Sequence, residues 1–242
     1  MGVVVALSLL VIVGFAIAML LAPTARLATE DKDDAPAPTW GRPAAAPTPA
    51  ATPYRPGVSG LVDPDWLRAT AESTGIPERA LAAYAGVAMA KASTMPTCGL
   101  AWNTLAGIGY AESRHGTHGG SSIAETGTVT PGIFGIALAG GATAEVPDSD
   151  GGVIDGDAQT DRAVGPMQLI PQTWRNWHID ASGDGIEDPQ NIDDATMATA
   201  NYLCRASGDM ASEKGWRAGV AAYNSAGSYI AAVAAAADEY AH

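Results

Sequence analysis

Basic side chains are scarce in this chain: 13 Lys and Arg stand against 26 Asp and Glu, a formal net charge of −13 at pH 7. A surface of that sign excludes nucleic acid as a partner, because a phosphate backbone needs a basic face. It also argues against an anionic membrane surface as the main partner. Val and Thr alternate only briefly, so little sheet is expected. No internal repeat of solenoid or propeller length is visible. His115 and His118 are spaced as H-x-x-H, but Gly116 lies between them and no third ligand is near, so zinc is not expected.

What is present divides the 242 residues unevenly. Gly2 to Ala22 carry no charged side chain and are almost entirely apolar, close to the ~20 residues that a membrane-crossing helix needs. Residues 1–28 are therefore expected to enter a membrane as a signal anchor or signal peptide. Pro23-Thr24-Ala25 is a poor small-x-small cleavage site, which favours an uncleaved anchor. Arg26 and Lys32 follow the span and no basic residue precedes it, which argues against the orientation that export requires. Residues 29–59 are dominated by Ala, Pro and Thr after the acidic cluster Glu30 to Asp34, and are expected to form a flexible tether. Residues 60–242 remain for one compact domain, held on the exported side of the membrane or in the cell wall. In that compartment Cys98 and Cys204 are expected to join distant parts of the domain in a disulfide; two buried thiols are the other reading.

Within that domain, apolar spacing and abundant Ala predict helices near Pro64–Thr74, Pro77–Ser93, Gly99–Arg114, Pro171–Trp177, Ala195–Ala206, Lys214–Ala222 and Ala226–Tyr240. Three of these open with proline, which suits the first helical turn. The stretch from Thr117 to Ala163, rich in Gly and Asp, reads as a long, partly ordered excursion of the kind that lines binding sites.

One carboxylate stands out. Trp102, Leu105 and Ile108 precede Glu112 at spacings of three and four, so a helix through this segment carries Glu112 along its apolar stripe. Gly116 is a suitable terminator just beyond, which leaves Glu112 in the last helical turn. Partial desolvation and the negative end of the helix dipole both disfavour ionisation. A carboxyl that holds its proton near neutral pH can protonate a leaving glycosidic oxygen. The plainer alternative is a Glu paired with Arg114 or capping a turn.

In order along the chain come E-S-R-H-G at 112–116, G-P-M-Q-L-I-P-Q-T-W at 165–174, D-A-S-G-D-G at 180–185, D-P at 188–189, A-N-Y-L at 200–203 and Y-N-S-A at 223–226. This series resembles the lytic murein transglycosylases, most of all the membrane-bound lytic transglycosylase B group, from roughly Ile76 onward. The resemblance implies a mainly α, lysozyme-like domain, bacterial peptidoglycan as substrate, no required cofactor, and Glu112 as the single catalytic acid. In the mechanism it implies, Glu112 protonates the bridging oxygen of the MurNAc–GlcNAc β-1,4 bond. The N-acetyl group stabilises C1, and Glu112 then takes the proton of the sugar's own 6-hydroxyl to give 1,6-anhydroMurNAc.

Gln168 corresponds to a cleft glutamine of that family, with an amide suited to sugar N-acetyl and hydroxyl groups; its plainer role is to tie its own turn. Asn224 and Tyr223 match residues near the reacting sugar, or are satisfied core residues. Ser113 stands where the group often has Thr, and Arg114 keeps a cationic side chain; both are candidate substrate contacts. Asp180, Ser182, Asp184, the Ile186 carbonyl and Asp188 are candidate calcium ligands in an EF-hand-like half loop, although position twelve is Asn191 where a Glu is expected. A solvated acidic turn is the alternative. Six Asp and Glu fall between Glu145 and Asp161 and six between Asp180 and Asp194, and the first group reads as a solvated loop or a second cation site. Two rivals remain: a muramidase that positions water with Glu125, Asp157 or Asp161, and a glycan-binding module without turnover.

Overall fold

The computed structural model describes residues 37–141 and 143–242. The membrane segment expected at 1–28 and the first part of the tether lie outside the described residues. Among the described residues no helix is long and apolar enough to cross a membrane.

Among the described residues seven α-helices carry the fold: α1 Pro64–Thr74, α2 Glu78–Thr94, α3 Trp102–Ser113, α4 Pro171–Trp177, α5 Ile192–Ser207, α6 Glu213–Tyr223 and α7 Gly227–Glu239. Their ends follow local chemistry. Asp63 caps α1 by accepting from the Asp65 and Trp66 amides at 3.1 and 2.9 Å, with Pro64 opening the helix. Ser212 caps α6 through the Gly215 amide at 3.2 Å, and Asn191 caps α5 through the Asp193 amide at 3.0 Å. Each such cap satisfies a donor that the first turn would otherwise leave open, worth about 1 kcal/mol.

α2 is the axle. Ala80 to Ala88 are all buried, Tyr84 among them, and α1, α3 and α5 pack around it. At Gly86 the chain crosses so closely that a Cβ would overlap the Val58 carbonyl. α7 lies along α3, with Gly107 against Val233 and Ala237, while α4 and α6 pack on α5. The expected disulfide is formed: Cys98, in a 3-10 turn just before α3, and Cys204 of α5 have Cα atoms 5.3 Å apart and close a separation of 106 residues. Closing a loop of that length is worth about 5 kcal/mol on chain-entropy grounds.

Two expectations need correction. First, residues 37–59 are not detached from the domain. Buried Asn103 of α3 donates to the Arg42 carbonyl at 2.7 Å and accepts from the Ala44 amide at 3.1 Å, and Trp102 Nε1 donates to the Ala45 carbonyl at 3.0 Å. Arg217 holds the Thr39 carbonyl at 2.7 Å, and the Ala50 and Asp63 amides pair with Leu61 and Thr48 at 2.8 Å. A Pro- and Ala-rich run cannot build a core of its own, but it can lie as a strap on one built by other residues. Second, the excursion 117–163 carries more extended structure than expected. β1 (Ser122–Ile123) pairs antiparallel with β2 (Val129–Thr130). Beyond them, backbone bonds join Gly135 to Ala163, Leu138 to Asp161, and Val146 to Leu138 at 2.8 to 3.1 Å. These short pairings close the excursion on itself, and the Gly165 amide, bonded to the Ile133 carbonyl at 2.9 Å, holds it against the turn that bears Gln168.

Candidate active site

The apolar stripe of α3 is in place, with Leu105 and Ile108 fully buried and Trp102 nearly so. Glu112 follows one turn later, half-buried. Its Oε1 accepts a hydrogen bond from the Tyr229 hydroxyl at 2.6 Å. Burial pushes its carboxyl up from the ordinary glutamate range to about 7, and the Tyr229 bond pulls the other way. Desolvation dominates because no cation offsets it. Arg114 does not pair with Glu112; its guanidinium lies over the Tyr110 ring, 4.0 Å from the centroid.

The turn after Glu112 differs from the expectation. The reversal begins at Arg114, not at Gly116: Arg114, His115 and Gly116 have φ of 53°, 59° and 77°. Two non-glycine residues in the left-handed region need outside support. Ser113 supplies part of it, donating from Oγ to the Pro166 carbonyl at 2.6 Å and accepting from the Gly116 amide at 2.7 Å. His115 supplies the rest, buried with Nδ1 3.2 Å from the Tyr84 hydroxyl and Nε2 3.0 Å from the Tyr240 hydroxyl. Burial pushes the imidazole down to about 4, with the Arg114 charge adding to it. Ser113, expected to face substrate, is buried and spends its hydroxyl on joining the acid turn to the 165–168 turn.

That second turn is fixed by Gly165, whose φ of 77° and approach to the Pro189 carbonyl leave no room for a side chain. Gln168 itself is left-handed, with φ 49°. Its Nε2 donates to the Gly165 carbonyl at 2.9 Å, so half of the amide ties the turn, as the plainer reading had it. Its Oε1 faces Gly135, where an added Cβ would come within 3.0 Å. Tyr223 is similarly committed: its hydroxyl donates to the Met167 carbonyl at 2.5 Å and lies 3.2 Å from Thr199 Oγ1. Asn224 is exposed at the end of α6, with Oδ1 accepting from the Ala226 amide at 3.0 Å.

Tyr229 has no place in the sequence reading. Its contact depends on the antiparallel lie of two distant helices. Gly107 meets Val233, so Glu112, further toward the end of α3, meets the residue one turn before Val233 on α7. A tyrosine on the packing stripe of the last helix was the available signal.

Of the three carboxylates considered as a second acid, Asp161 and Asp157 are committed to protein partners and Glu125 is exposed. Asp161 is fully buried and accepts from Ser149 N and Oγ at 2.9 and 2.8 Å. Asp157 pairs with Arg162 at 3.0 Å, and Glu125 lies 3.6 Å from Arg55.

In the 180–188 loop the carboxylates turn toward the loop's own amides. Asp180 accepts from Gly183 N at 2.6 Å and Gly185 N at 2.8 Å, Asp184 from Ile186 N at 2.8 Å and Asp188 from Gln190 N at 2.8 Å. The Gly185 amide is the largest cause that holds the Asp180 carboxyl below its ordinary value. Asp180, Asp184 and Asp188 do not converge as a ligand set; among the described residues the three-carboxylate group that does is Asp148, Asp150 and Asp161. Asp194, unremarked in the sequence, pegs the loop to α5 by accepting from Ala181, Ser182 and Asp188 amides at 2.8, 2.9 and 3.0 Å. Burial pushes its carboxyl up to about 6 against the pull of those amides.

The turn after Glu112 and the turn that bears Gln168 are thus stapled together through Ser113, with Tyr223 of α6 bonded to the second and Tyr229 of α7 bonded to Glu112. Residues 160–232 match a family model described as a Transglycosylase SLT domain. The matched segment is less than a third of the chain; it includes Gln168, Tyr223, Asn224 and Tyr229 and leaves out Glu112. No curated protein and no solved structure matches the chain. Together with seven helices and little sheet, the match supports a transglycosylase-type, lysozyme-like domain with activity related to peptidoglycan.

Proposed function

We propose that this chain is a lytic transglycosylase that cleaves the MurNAc–GlcNAc β-1,4 bond of peptidoglycan with formation of 1,6-anhydroMurNAc. The observation that carries the reading is Glu112: a half-buried carboxyl held near pKa 7 and bonded to a phenol, on a turn stapled to the one that bears Gln168. Hydrolases of this class use two carboxylates, and an enzyme with one must find its nucleophile in the substrate.

Because Tyr229 donates to Oε1, the carboxyl proton belongs on Oε2, which delivers it to the bridging oxygen as the C1–O bond breaks. The substrate's N-acetyl oxygen stabilises C1. The carboxylate left on Glu112 then removes the 6-hydroxyl proton while O6 bonds to C1, so the acid is regenerated and no water is consumed. The tethered hydroxyl brings a high effective concentration to that step. Gln168 Oε1 and the Asn224 amide donors are suited to the N-acetyl and hydroxyl groups, and exposed Arg114 offers a cation beside the acid. Tyr223 and Ser113 position the two turns from the protein side. The motif series favours the membrane-bound lytic transglycosylase B group, with the N-terminal segment as the membrane link and the exported face of the membrane or the wall as the working place. Mass analysis of glycan strands digested by the purified protein tests the reading. Anhydro ends, one water lighter than reducing ends, are expected; reducing ends alone would make the enzyme a muramidase, and no new ends a binding module.

A further inference from the structure

The hydroxyl that meets Glu112 comes from α7, and a buried imidazole that the proposed reaction leaves unused is bonded to the far end of that helix. His115, 5 % exposed, lies between two phenols: Tyr84 of α2, 3.2 Å from Nδ1, and Tyr240, just beyond the last turn of α7, 3.0 Å from Nε2. The proton arrangement follows from these partners. Tyr84 is fully buried, with its hydroxyl so close to α3 that a Cβ at Gly109 would overlap it. Among the described residues His115 is the only hydrogen-bond partner of that hydroxyl. Burial pushes the Tyr84 phenol up, so it keeps its proton, and a buried O–H without an acceptor is costly. Tyr84 therefore donates to Nδ1, and the ring's own proton sits on Nε2 and is donated to the Tyr240 oxygen. The titratable and charged groups against the ring are the Tyr84, Tyr110 and Tyr240 phenols and the Arg114 guanidinium, with Glu239 beyond Tyr240. Burial and the Arg114 charge keep the imidazole neutral down to about 4, so the arrangement persists where Glu112 titrates.

α7 is thus bonded to the acid segment at both of its ends. Tyr229, in its first turn, donates to Glu112 Oε1 at 2.6 Å, and Tyr240, past its last turn, accepts from His115. Between them Asn103 Nδ2 of α3 donates to the Ala237 carbonyl at 2.8 Å. A helix held at separate points along its length cannot slide or roll on α3 without stretching one of these bonds. We infer that His115 is a positioning residue for the catalytic acid: clamped on Tyr84 of α2, it fixes the end of α7 and through that helix sets the Tyr229 hydroxyl on Glu112. The assignment rests on the transglycosylase reading, in which Glu112 does the chemistry; His115 is buried and takes no part in the proton transfers. Locking a reacting group from behind in this way is what holds it in a productive geometry.

The test is a double-mutant cycle in the full chain, read by kcat for anhydro product and by the titration midpoint of the Glu112 carboxyl in carbon-13 NMR. Tyr240→Phe removes only the acceptor of the His115 Nε2 proton. It is expected to lower kcat about fivefold with KM little changed. It should also move the Glu112 midpoint upward, because the Tyr229 bond that pulls it down is loosened. His115→Asn keeps a residue that tolerates the left-handed backbone of this turn but loses both phenols, and is expected to lower kcat about tenfold with the same upward shift. In a Tyr229→Phe background Tyr240→Phe is expected to change neither kcat nor the midpoint further, since the contact it supports is already gone. Tyr240→Phe deletes a single oxygen and so decides the matter even if His115→Asn does not fold. A Glu112 midpoint unchanged in Tyr240→Phe, or a loss of kcat that multiplies with that of Tyr229→Phe, overturns the positioning role while the transglycosylase reading stands. Absence of anhydro product with wild type overturns that reading, whereas the carboxyl midpoints still decide whether His115 sets the Tyr229 bond.

Discussion

Two segments of this molecule, 112–116 and 180–188, hold their carboxylates in opposite surroundings. In the first, Glu112 has one phenol partner, is half out of water and is pushed up to about 7. In the second, Asp180, Asp184 and Asp188 stand at the surface of their loop with backbone amides directed at their oxygens. Burial against donors sets which way a carboxyl moves, and Asp194, a peg with three amide donors whose carboxyl is still pushed up to about 6, shows that the donor count alone does not decide it. Local sequence gives the residue type; the partner count comes from tertiary structure.

The sharpest way to break this contrast is to remove the titrating group. Glu112→Gln should lower the rate of anhydro product release by about a thousandfold, with glycan binding retained in a pull-down on insoluble wall. The same variant should change stability with a definite sign. The folded state holds the Glu112 proton up to about pH 7 while the unfolded chain releases it near 4.5. Unfolding free energy contributed by this group therefore falls as pH rises from about 4.5 to 7, by at most about 3 kcal/mol. Urea titrations at pH 5 and pH 8 should show that loss as the difference between wild type and Glu112→Gln, because Asp194 and His115 titrate in the same window in both proteins.

On the loop side the largest effect belongs to Asp194. Asp194→Ala leaves three amides without their acceptor and should cost about 3 kcal/mol, seen as a lower urea midpoint at pH 7. Tyr229→Phe is the corresponding lesion at the acid. It removes the bond that holds Glu112 down, so the alkaline limb of the pH–rate profile should move upward, and loss of orientation should lower kcat about tenfold. The smallest effect is expected at Asp184, which is exposed and bonds the Ile186 amide. Asp184→Ala should shift stability by less than about 1 kcal/mol. A calcium titration that raises Tm by several degrees in wild type and not in this variant would make the loop a cation site.

Much of the fold was legible because its punctuation is local. Pro64 and Pro171 open α1 and α4 where expected, and both helices end at the predicted Thr74 and Trp177. α3 starts three residues late because Cys98 closes a 3-10 turn and Gly99 is left-handed with φ 59°. The strap 37–59 was misread because composition reports whether a segment can form a core, not whether it can lie on someone else's. Within the site, Glu112 and Gln168 were visible as motif residues, but the consumption of Ser113 and half of Gln168 by the protein itself was not. Tyr229 and Asp194 act across sequence separations of 117 and 13, where neither spacing nor motif reaches.

The account depends on a proton resident on one side chain. Carbon-13 NMR of the Glu112 carboxyl, assigned by its loss in Glu112→Gln and followed against pH, reads that proton directly. A midpoint at about 7 is predicted; a midpoint in the ordinary glutamate range near 4.3 would contradict the assignment of Glu112 as the acid.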